Sequence, residues 1–221
     1  MIVVRRKPLG DIRRMIEGHE RVALVGCNTC AAVSLAGGAK EVESLATALH
    51  IADGGNGRER RFRTEVLQRQ CEPEYVSQLD VEDLDAVGSL ACGAGVALMA
   101  EMLGRPVYPV LDTLFIGAAR GVASWREECA ACGDCVLGET AGICPVARCA
   151  KGILNGPCGG MEAGMCEVDP RRPCAWVDIH ARLESLGRIS SIDTILPPKD
   201  HSRRSSCGTL DLWSEEEEEA S

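Results

Sequence analysis

Cysteine is the residue type with which this chain could carry out chemistry. The 221 residues include 13 cysteines, and most of them fall in one half of the sequence. Clustered cysteines in a cytoplasmic protein usually bind metal or take part in redox reactions, whereas a secreted disulfide protein should begin with a signal peptide. The opening residues, MIVVRRKPLG, become charged after four apolar positions, which is not typical of such a peptide. We therefore expect a cytoplasmic protein that binds metal, with structural disulfides as the alternative.

The first group of cysteines follows predicted β-strands. Cys27 and Cys30 form a C-x-x-C directly after one apolar run, Cys92 directly follows a later one, and Cys71 lies a few residues beyond another. Because loops at the carboxyl ends of parallel strands converge, these four thiols are expected to meet at one place. Four thiolates suit a [4Fe–4S] cluster or a tetrahedral zinc ion. The alternatives are a thioredoxin-like pair at Cys27 and Cys30 and buried, inert thiols at Cys71 and Cys92.

A second group begins with the motif C-x-x-C-x-x-C at Cys129, Cys132 and Cys135. This tight loop is typical of ferredoxins, whose fourth ligand follows three residues later and precedes a proline. Here Cys144, which precedes Pro145, comes after eight intervening residues, so the match is partial. Four more thiols follow: Cys149, Cys158, Cys166 and Cys174. Eight thiols would make two clusters, or one cluster and one zinc site. Their spacing leaves the grouping open, and zinc throughout is the alternative.

The elements that must position these residues follow an alternating pattern. Apolar runs predict strands at residues 22–25, 63–67, 86–91 and 107–111, and helical spacing predicts helices at 8–17, 39–49, 73–84 and 95–103. This alternation predicts an α/β fold, with a small parallel Rossmann-like sheet over residues 1–122. Residues 123–190 are rich in glycine, proline and cysteine. There we expect no conventional hydrophobic core, but a small domain stabilised by metal.

The remaining sequence argues against several functions. The net charge is −9, and residues 191–221 form an acidic tail that ends with Glu215–Glu219 and is expected to be solvated. This charge disfavours nucleic-acid binding, since the basic clusters at 58–63 and 203–204 also lack interleaved aromatic residues. No apolar run is long enough to span a membrane. No general acid–base pair is evident either, because we expect Asp112 to have a loop or capping role and His180 to be a polar surface residue.

Several stretches resemble MetV-type proteins, in which a cysteine-rich methylenetetrahydrofolate reductase C-terminal domain follows an α/β half. The resemblance covers residues 8–190, and the most specific motif is LNGPCGG at residues 154–160. The other stretches are Val25–Cys30 (VGCNTC), Leu35–Glu41 (LAGGAKE), Leu90–Gly95 (LACGAG), Gly142–Cys149 (GICPVARC) and Cys174–Trp176 (CAW). The acidic tail lies outside the resemblance, and so does Cys207.

The resemblance implies a partner and a role. MetV-type proteins pair with a MetF-type flavoprotein, a TIM barrel whose flavin reduces methylenetetrahydrofolate to methyltetrahydrofolate. The chain would pass electrons to that flavin from a ferredoxin or an electron-bifurcating module, through two or three [4Fe–4S] clusters held by the twelve cysteines of both groups, with zinc as the alternative at one site. It would be an electron-transfer subunit rather than a self-sufficient enzyme. The alternative is a zinc-binding scaffold of the same complex with no redox role. A nucleotide- or pterin-binding domain would need a complete phosphate loop, which Gly93 and Gly95 do not supply.

Overall fold

The computed structural model describes residues 1–55 and 60–203. Contacts within the chain divide it into two compact units, Met1–Glu127 and Glu128–Ser221. In the part of the chain that is described, no helix is long and apolar enough to cross a membrane. The acidic run Glu215–Glu219, Cys207 and residues 58–59 of the basic cluster at 58–63 lie outside the described residues.

The first unit contains a four-stranded parallel sheet. Its strands are β2 (Arg21–Cys27), β3 (Arg61–Leu67), β4 (Ala86–Leu90) and β5 (Val107–Pro109). They lie in the order β3-β2-β4-β5, and every pairing is parallel. Both central strands are almost entirely buried, which explains why they are continuous apolar runs rather than alternating ones. The predicted parallel α/β sheet is confirmed.

Each face of this sheet is covered by helices. Side chains alternate along β2, so Val22 and Leu24 belong to one apolar cluster while Ala23 and Val25 belong to the other. The helices are α1 (Leu9–Met15), α2 (Cys30–Val33), α3 (Ala39–Gly54), α4 (Pro73–Val76) and α5 (Gly93–Met102). The first cluster takes in α1 and α3, and the second takes in α4 and α5. Apolar packing on both faces therefore holds the sheet.

A second sheet was absent from the sequence-based prediction. It is three-stranded, in the order β1-β6-β7, with β1 at Ile2–Arg6, β6 at Leu111–Gly121 and β7 at Ser124–Cys129. Strand β1 pairs antiparallel with β6, from Ile2 opposite Ile116 to Arg6 opposite Leu111. The partners are more than 100 residues apart, so no local pattern indicates the pairing. The strand predicted to reach residue 111 ends instead at Pro109, because Leu111 already belongs to β6.

The predicted helix at residues 73–84 was also too long. Only α4, Pro73–Val76, is helical, although Leu79 is buried as expected and Tyr75 and Val81 are partly buried against the same cluster. The Asp80 carboxylate accepts a hydrogen bond from the backbone N–H of Glu82 at 3.0 Å. Such local bonds from aspartate compete with helix formation and favour turns. The apolar positions were therefore identified correctly, but their backbone conformation was not.

The second unit has little regular structure. It contains α6 (Pro145–Arg148), α7 (Ala175–Ser185) and two short 3-10 helices at Ile189–Asp193 and His201–Arg203. The expectation that it lacks a hydrophobic core was wrong, because α7 places Trp176, Ile179 and Leu183 on one face and packs them against Ile143. This core is small, with four buried residues.

Residues beyond the predicted boundary at 190 are attached to the cysteine-rich region. The side-chain amide of Asn155 donates to the carbonyl of Leu196 at 2.9 Å, and its oxygen accepts from the N–H of Leu196 at 2.7 Å. This reciprocal pair fixes the specific LNGPCGG motif at residues 154–160 to the segment that follows the first 3-10 helix. The second unit thus includes residues that the sequence analysis assigned to the tail.

Candidate metal centres

Four cysteines lie at the carboxyl-terminal edge of the parallel sheet. We call Cys27, Cys30, Cys71 and Cys92 the amino-terminal thiol set. Cys27 is the last residue of β2 and Cys30 the first of α2, while Cys92 directly precedes α5 and Cys71 follows β3 after a short turn. Since β2, β3 and β4 are parallel neighbours, the chain segments that carry these thiols emerge at the same edge, as the sequence predicts.

Two other thiols of this set influence the Cys71 thiol. Partial burial raises the pKa of the Cys71 thiol, and the negative charges of Cys92 and then Cys27 raise that pKa further. A like charge has this effect because it disfavours the ionised form. Cys27 is buried, and its Sγ lies 3.4 Å from the hydroxyl of Thr29. Several thiolates side by side repel one another, and a bound cation would relieve that repulsion.

The backbone around this set is packed too closely for side chains. A Cβ on Gly37 would lie 2.2 Å from the carbonyl oxygen of Leu90, and one on Gly26 would lie 2.7 Å from that of Gly37. The N–H of Cys27 donates to the Gly37 carbonyl at 2.9 Å. The glycines of the LAGGAKE motif therefore let the α2–α3 connection lie directly against the strand ends that carry the thiols.

The unpredicted antiparallel sheet also contacts this edge. The hydroxyl of Thr113 in β6 accepts a hydrogen bond from the N–H of Gly93 at 2.9 Å, next to Cys92. On the other side, the Ser34 hydroxyl donates to the carbonyl of Cys30 at 2.8 Å, and it also bonds the carbonyl of Ile2 in β1 at 3.5 Å. Both contacts bring residues distant in sequence to the thiol loops, which is why local patterns did not reveal them.

In the second unit, four thiols line one small cavity. Cys149, Cys158, Cys166 and Cys174 all face it, together with Trp176. We call these four cysteines the carboxy-terminal thiol pocket. The cavity has a volume of about 20 Å³, which is close to the space of a single water molecule. A pocket of this size with four sulfur donors suits one metal ion rather than an organic ligand.

Turns and helix ends deliver these thiols. Met165 pairs with Pro173 in an antiparallel bridge, and on either side Cys166 N–H donates to Arg172 at 2.8 Å and Cys174 N–H donates to Gly164 at 2.9 Å. Cys174 then caps the start of α7, and Cys149 follows the end of α6. Both also pack against the small core around Trp176. Backbone hydrogen bonds between nearby residues therefore position part of the pocket without any contribution from metal.

Sequence reasoning missed a charged pair at the rim of this pocket. The Glu167 carboxylate accepts hydrogen bonds from the Lys151 ammonium group and, at 3.3 Å, from the thiol of Cys158. The bond from Lys151 lowers the pKa of Glu167, and the same bond raises the pKa of Lys151. A lysine here places positive charge next to four sulfur atoms. Nothing in the local sequence distinguishes either residue from ordinary surface charges.

The other four thiols of this unit belong to the ferredoxin-like loop and Cys144. Cys129 is the last residue of β7, and its sulfur accepts a hydrogen bond from the N–H of Ala131 at 3.3 Å. Ala131 and Gly133 have φ of 50° and 75°, so the chain turns sharply between successive cysteines. Backbone N–H groups directed at sulfur are typical of loops that surround iron–sulfur clusters.

A buried arginine connects elements next to both thiol groups of the second unit. Arg148 has a side chain only 4% exposed, and it lies directly before Cys149. Its guanidinium pairs with Glu128, next to Cys129, at 3.6 Å and with Asp178 of α7 at 3.4 Å. Sequence reasoning did not single it out, because an arginine in a glycine-rich stretch is ordinarily a surface residue.

In the described residues, the cysteines do not form a ready-made metal site. All twelve cysteines of residues 1–55 and 60–203 are free, and within these ranges no group of three or more His, Cys, Asp or Glu side chains has metal-holding geometry. Binding would therefore require the thiols of a site to come closer together. Two other predictions can be compared with the structure: His180 is exposed, as expected, whereas Asp112 lies within β6 and pairs with Lys7 instead of having a loop or capping role.

Residues 108–202 match the family described as methylene-tetrahydrofolate reductase C terminal. The match includes all eight cysteines of the second group and ends just after the second 3-10 helix begins. It confirms the resemblance for the cysteine-rich region, while the likeness of residues 8–107 to MetV-type proteins remains a prediction. Neither a search of curated proteins nor one of solved structures found a match.

Proposed function

We propose that this chain is an iron–sulfur electron-transfer subunit that works with a methylenetetrahydrofolate reductase flavoprotein in the cytoplasm. The single observation that supports this most is the match of residues 108–202 to the reductase C-terminal family, in a stretch that carries eight free thiols. Iron–sulfur clusters supply one-electron transfer when bound. The chain's own contribution is to hold their ligands and to bring them near the partner.

The arrangement of thiols supports three separate sites. The amino-terminal thiol set lies at one sheet edge of the first unit. In the second unit, four cysteines line the carboxy-terminal thiol pocket. That leaves Cys129, Cys132, Cys135 and Cys144 as a further set of four, which completes the ferredoxin-like loop with the cysteine that precedes Pro145. Cysteine spacing alone left this grouping open. The grouping proposed here rests on which four cysteines line the pocket.

The pocket is the site where zinc fits best. Its volume of about 20 Å³ has room for one ion, whereas a cubane cluster would require the surrounding loops to move outward. Four thiolates form a complete tetrahedral zinc site. The amino-terminal thiol set and the ferredoxin-like loop would then hold the two [4Fe–4S] clusters. Lys151 would balance the charge of Glu167 beside the four sulfur atoms of the pocket.

Metal and sulfide analysis of protein purified without oxygen tests this assignment. We expect about eight irons, about eight acid-labile sulfides and about one zinc per chain in a brown sample. Colourless protein with about three zinc ions and no sulfide would instead support the zinc-binding scaffold. The observation that favours this alternative is that all the candidate ligands are thiols, which zinc also binds.

Matched cysteine variants test the grouping. Cys132→Ser should lose about half of the iron and keep the zinc, whereas Cys158→Ser should lose zinc and retain the visible absorbance. Cys207→Ser is the control, because the proposal gives this thiol no ligand role. Loss of iron from Cys158→Ser would contradict the proposed grouping of the eight cysteines.

The role as a subunit requires a separate measurement. The reduced chain should reduce the flavin of a MetF-type partner in a rapid-mixing experiment, with reduced ferredoxin or an electron-bifurcating module as the donor. The isolated chain should not reduce methylenetetrahydrofolate. Turnover of the folate by the isolated chain, with an artificial donor and no flavoprotein, would overturn the proposal.

A further inference from the structure

A completely buried polar side chain directly precedes one of the amino-terminal thiols. Gln70 is 0% exposed and is the neighbour of Cys71. Its side-chain amide donates to the carbonyl of Val25 at 2.8 Å, and its amide oxygen accepts from the hydroxyl of Ser89 at 2.6 Å. Val25 and Ser89 are also fully buried. Water cannot replace either bond, so each is costly to lose.

These two bonds link all the chain segments that carry the amino-terminal thiol set. Val25 lies in β2, two residues before Cys27 and shortly before Cys30. Ser89 lies in β4, three residues before Cys92. Gln70 itself belongs to the turn that carries Cys71. One amide group therefore joins the ends of β2 and β4 to the turn after β3, at the edge where the thiols emerge.

Tight packing holds the Gln70 side chain in this position. A Cβ on Gly95 of α5 would lie 3.0 Å from the Cβ of Gln70 and 2.9 Å from that of Ala91. The start of α5 thus lies directly against Gln70, with no room for a larger side chain. The amide has little freedom to choose other partners, which makes it suitable for fixing the relative positions of the three segments.

The glutamine contributes more than stability. The neighbouring cluster on this face of the sheet is made of apolar residues, including Ala23, Val87 and Met99, whose packing is non-directional. A fully satisfied polar group, in contrast, specifies one arrangement of the elements that it joins. Residues that orient metal ligands commonly do so through hydrogen bonds, without binding the metal themselves.

We propose that Gln70 is a positioning residue that sets the distances among Cys27, Cys71 and Cys92 before metal binds. The inference rests on the proposed metal site at this sheet edge. Gln70 supplies no ligand of its own. It acts through the backbone of Val25 and the hydroxyl of Ser89, and it holds the chain segments that carry the amino-terminal thiol set in fixed relative positions.

Two readouts test this role in the full chain. The first is metal-independent: metal-free protein is treated with diamide, and the disulfides formed among Cys27, Cys71 and Cys92 are mapped by mass spectrometry. The second is the affinity of the amino-terminal thiol set for iron in reconstituted protein. Gln70→Met keeps the side-chain length but removes both bonds. We expect it to reduce disulfide trapping strongly and to weaken iron retention about 10- to 100-fold, as for other residues that orient ligands.

Two further variants separate positioning from stability. Val22→Ala creates a cavity at the start of β2, away from the thiols, and is expected to lower the melting temperature while leaving trapping and iron affinity unchanged. Ser89→Ala removes only one of the two bonds and should give an intermediate effect. If Gln70→Met does not fold, Ser89→Ala alone tests the positioning role. Wild-type trapping in folded Gln70→Met or in Ser89→Ala would overturn the proposal.

The two readouts also distinguish failure of this inference from failure of the proposed function. If the wild-type set binds no iron, the proposed cluster at this edge is wrong. The trapping pattern in metal-free protein still shows whether Gln70 holds the thiols together. If iron binds to the wild type and trapping is insensitive to Gln70, the cluster stands and the positioning role fails.

Discussion

The two units present cysteines in opposite ways. In the first unit, thiols are placed at the ends of buried parallel strands, and apolar clusters on both faces of the sheet hold those strands. In the second unit, most thiols lie on turns and helix ends, and two of them, Cys149 and Cys174, pack against a core of four buried residues. The proposed metal sites would therefore form by two routes: on a scaffold held by apolar packing, and in a loop region whose order would depend on metal.

The difference follows from how much apolar surface each unit can bury. A sheet covered by helices supplies stabilisation that is independent of any ligand. A short helix packed against one loop residue supplies far less, and a region this small generally needs metal or disulfides to remain folded. The twelve described cysteines are free thiols, and the proposed metal sites would supply this stabilisation to the second unit.

Removal of bound metal should have the largest effect. Chelation under reducing conditions is expected to abolish amide protection of α7, Ala175–Ser185, while β2 and β4 remain protected. The reason is that the apolar clusters of the first unit stay intact and the thiol-lined loops of the second do not. Hydrogen exchange followed by mass spectrometry compares the two units in one sample. Equal loss of protection in both would remove the distinction between them.

Cavity-forming substitutions should separate the units next. Leu24→Ala in the first unit is expected to cost about 2–5 kcal/mol of unfolding free energy without changing metal content. Leu183→Ala, which removes a similar volume from the four-residue core, should instead lower the zinc content, because Cys149 and Cys174 pack against that core. Chemical denaturation and metal analysis of both variants provide the test. Unchanged zinc in Leu183→Ala would show that the thiol pocket does not need this core.

The buried arginine gives a smaller effect confined to the second unit. Arg148→Met should destabilise that unit by about 1–3 kcal/mol, since the carboxylates of Glu128 and Asp178 lose their buried cation. Arg171→Met is a matched control, because the Arg171 side chain is 91% exposed and pairs only locally with Asp169. It should change stability by less than about 0.5 kcal/mol. Similar losses in both variants, measured by hydrogen exchange of α7, would argue against a bridging role for Arg148.

The smallest expected effect is a pH dependence in the first unit. The Arg21 side chain and backbone donate to Asp85 and lower the pKa of that carboxyl to about 2. Because an unfolded aspartate has a pKa of about 3.9, this pairing stabilises the fold above that pH and the contribution is lost as the pH falls toward about 2. In Asp85→Asn, the melting temperature should fall less steeply as the pH is lowered. The difference should be slight, since the pair is largely exposed. Glu74→Gln, which changes an exposed carboxylate in α4, is the control and should not alter this pH dependence.

The sequence by itself determined the parallel sheet and the position of each cysteine on it. A buried strand is a continuous apolar run, and the residue after it is local information, so Cys27 and Cys92 could be placed at strand ends without coordinates. The ferredoxin-like loop is likewise local, because its three cysteines are separated by two residues each. The match over residues 108–202 bears out the resemblance recognised there from the motifs.

Only the tertiary structure decided which distant residues meet. The pairing of β1 with β6, the gathering of Cys149 with Cys158, Cys166 and Cys174, and the contacts of Gln70 all join segments that local patterns treat independently. Cysteine spacing does not specify connectivity, because many groupings of eight thiols satisfy the same spacing. The physical reason is common to all three cases: periodicity reports which face of an element is buried, whereas its partner is selected by packing across the whole fold.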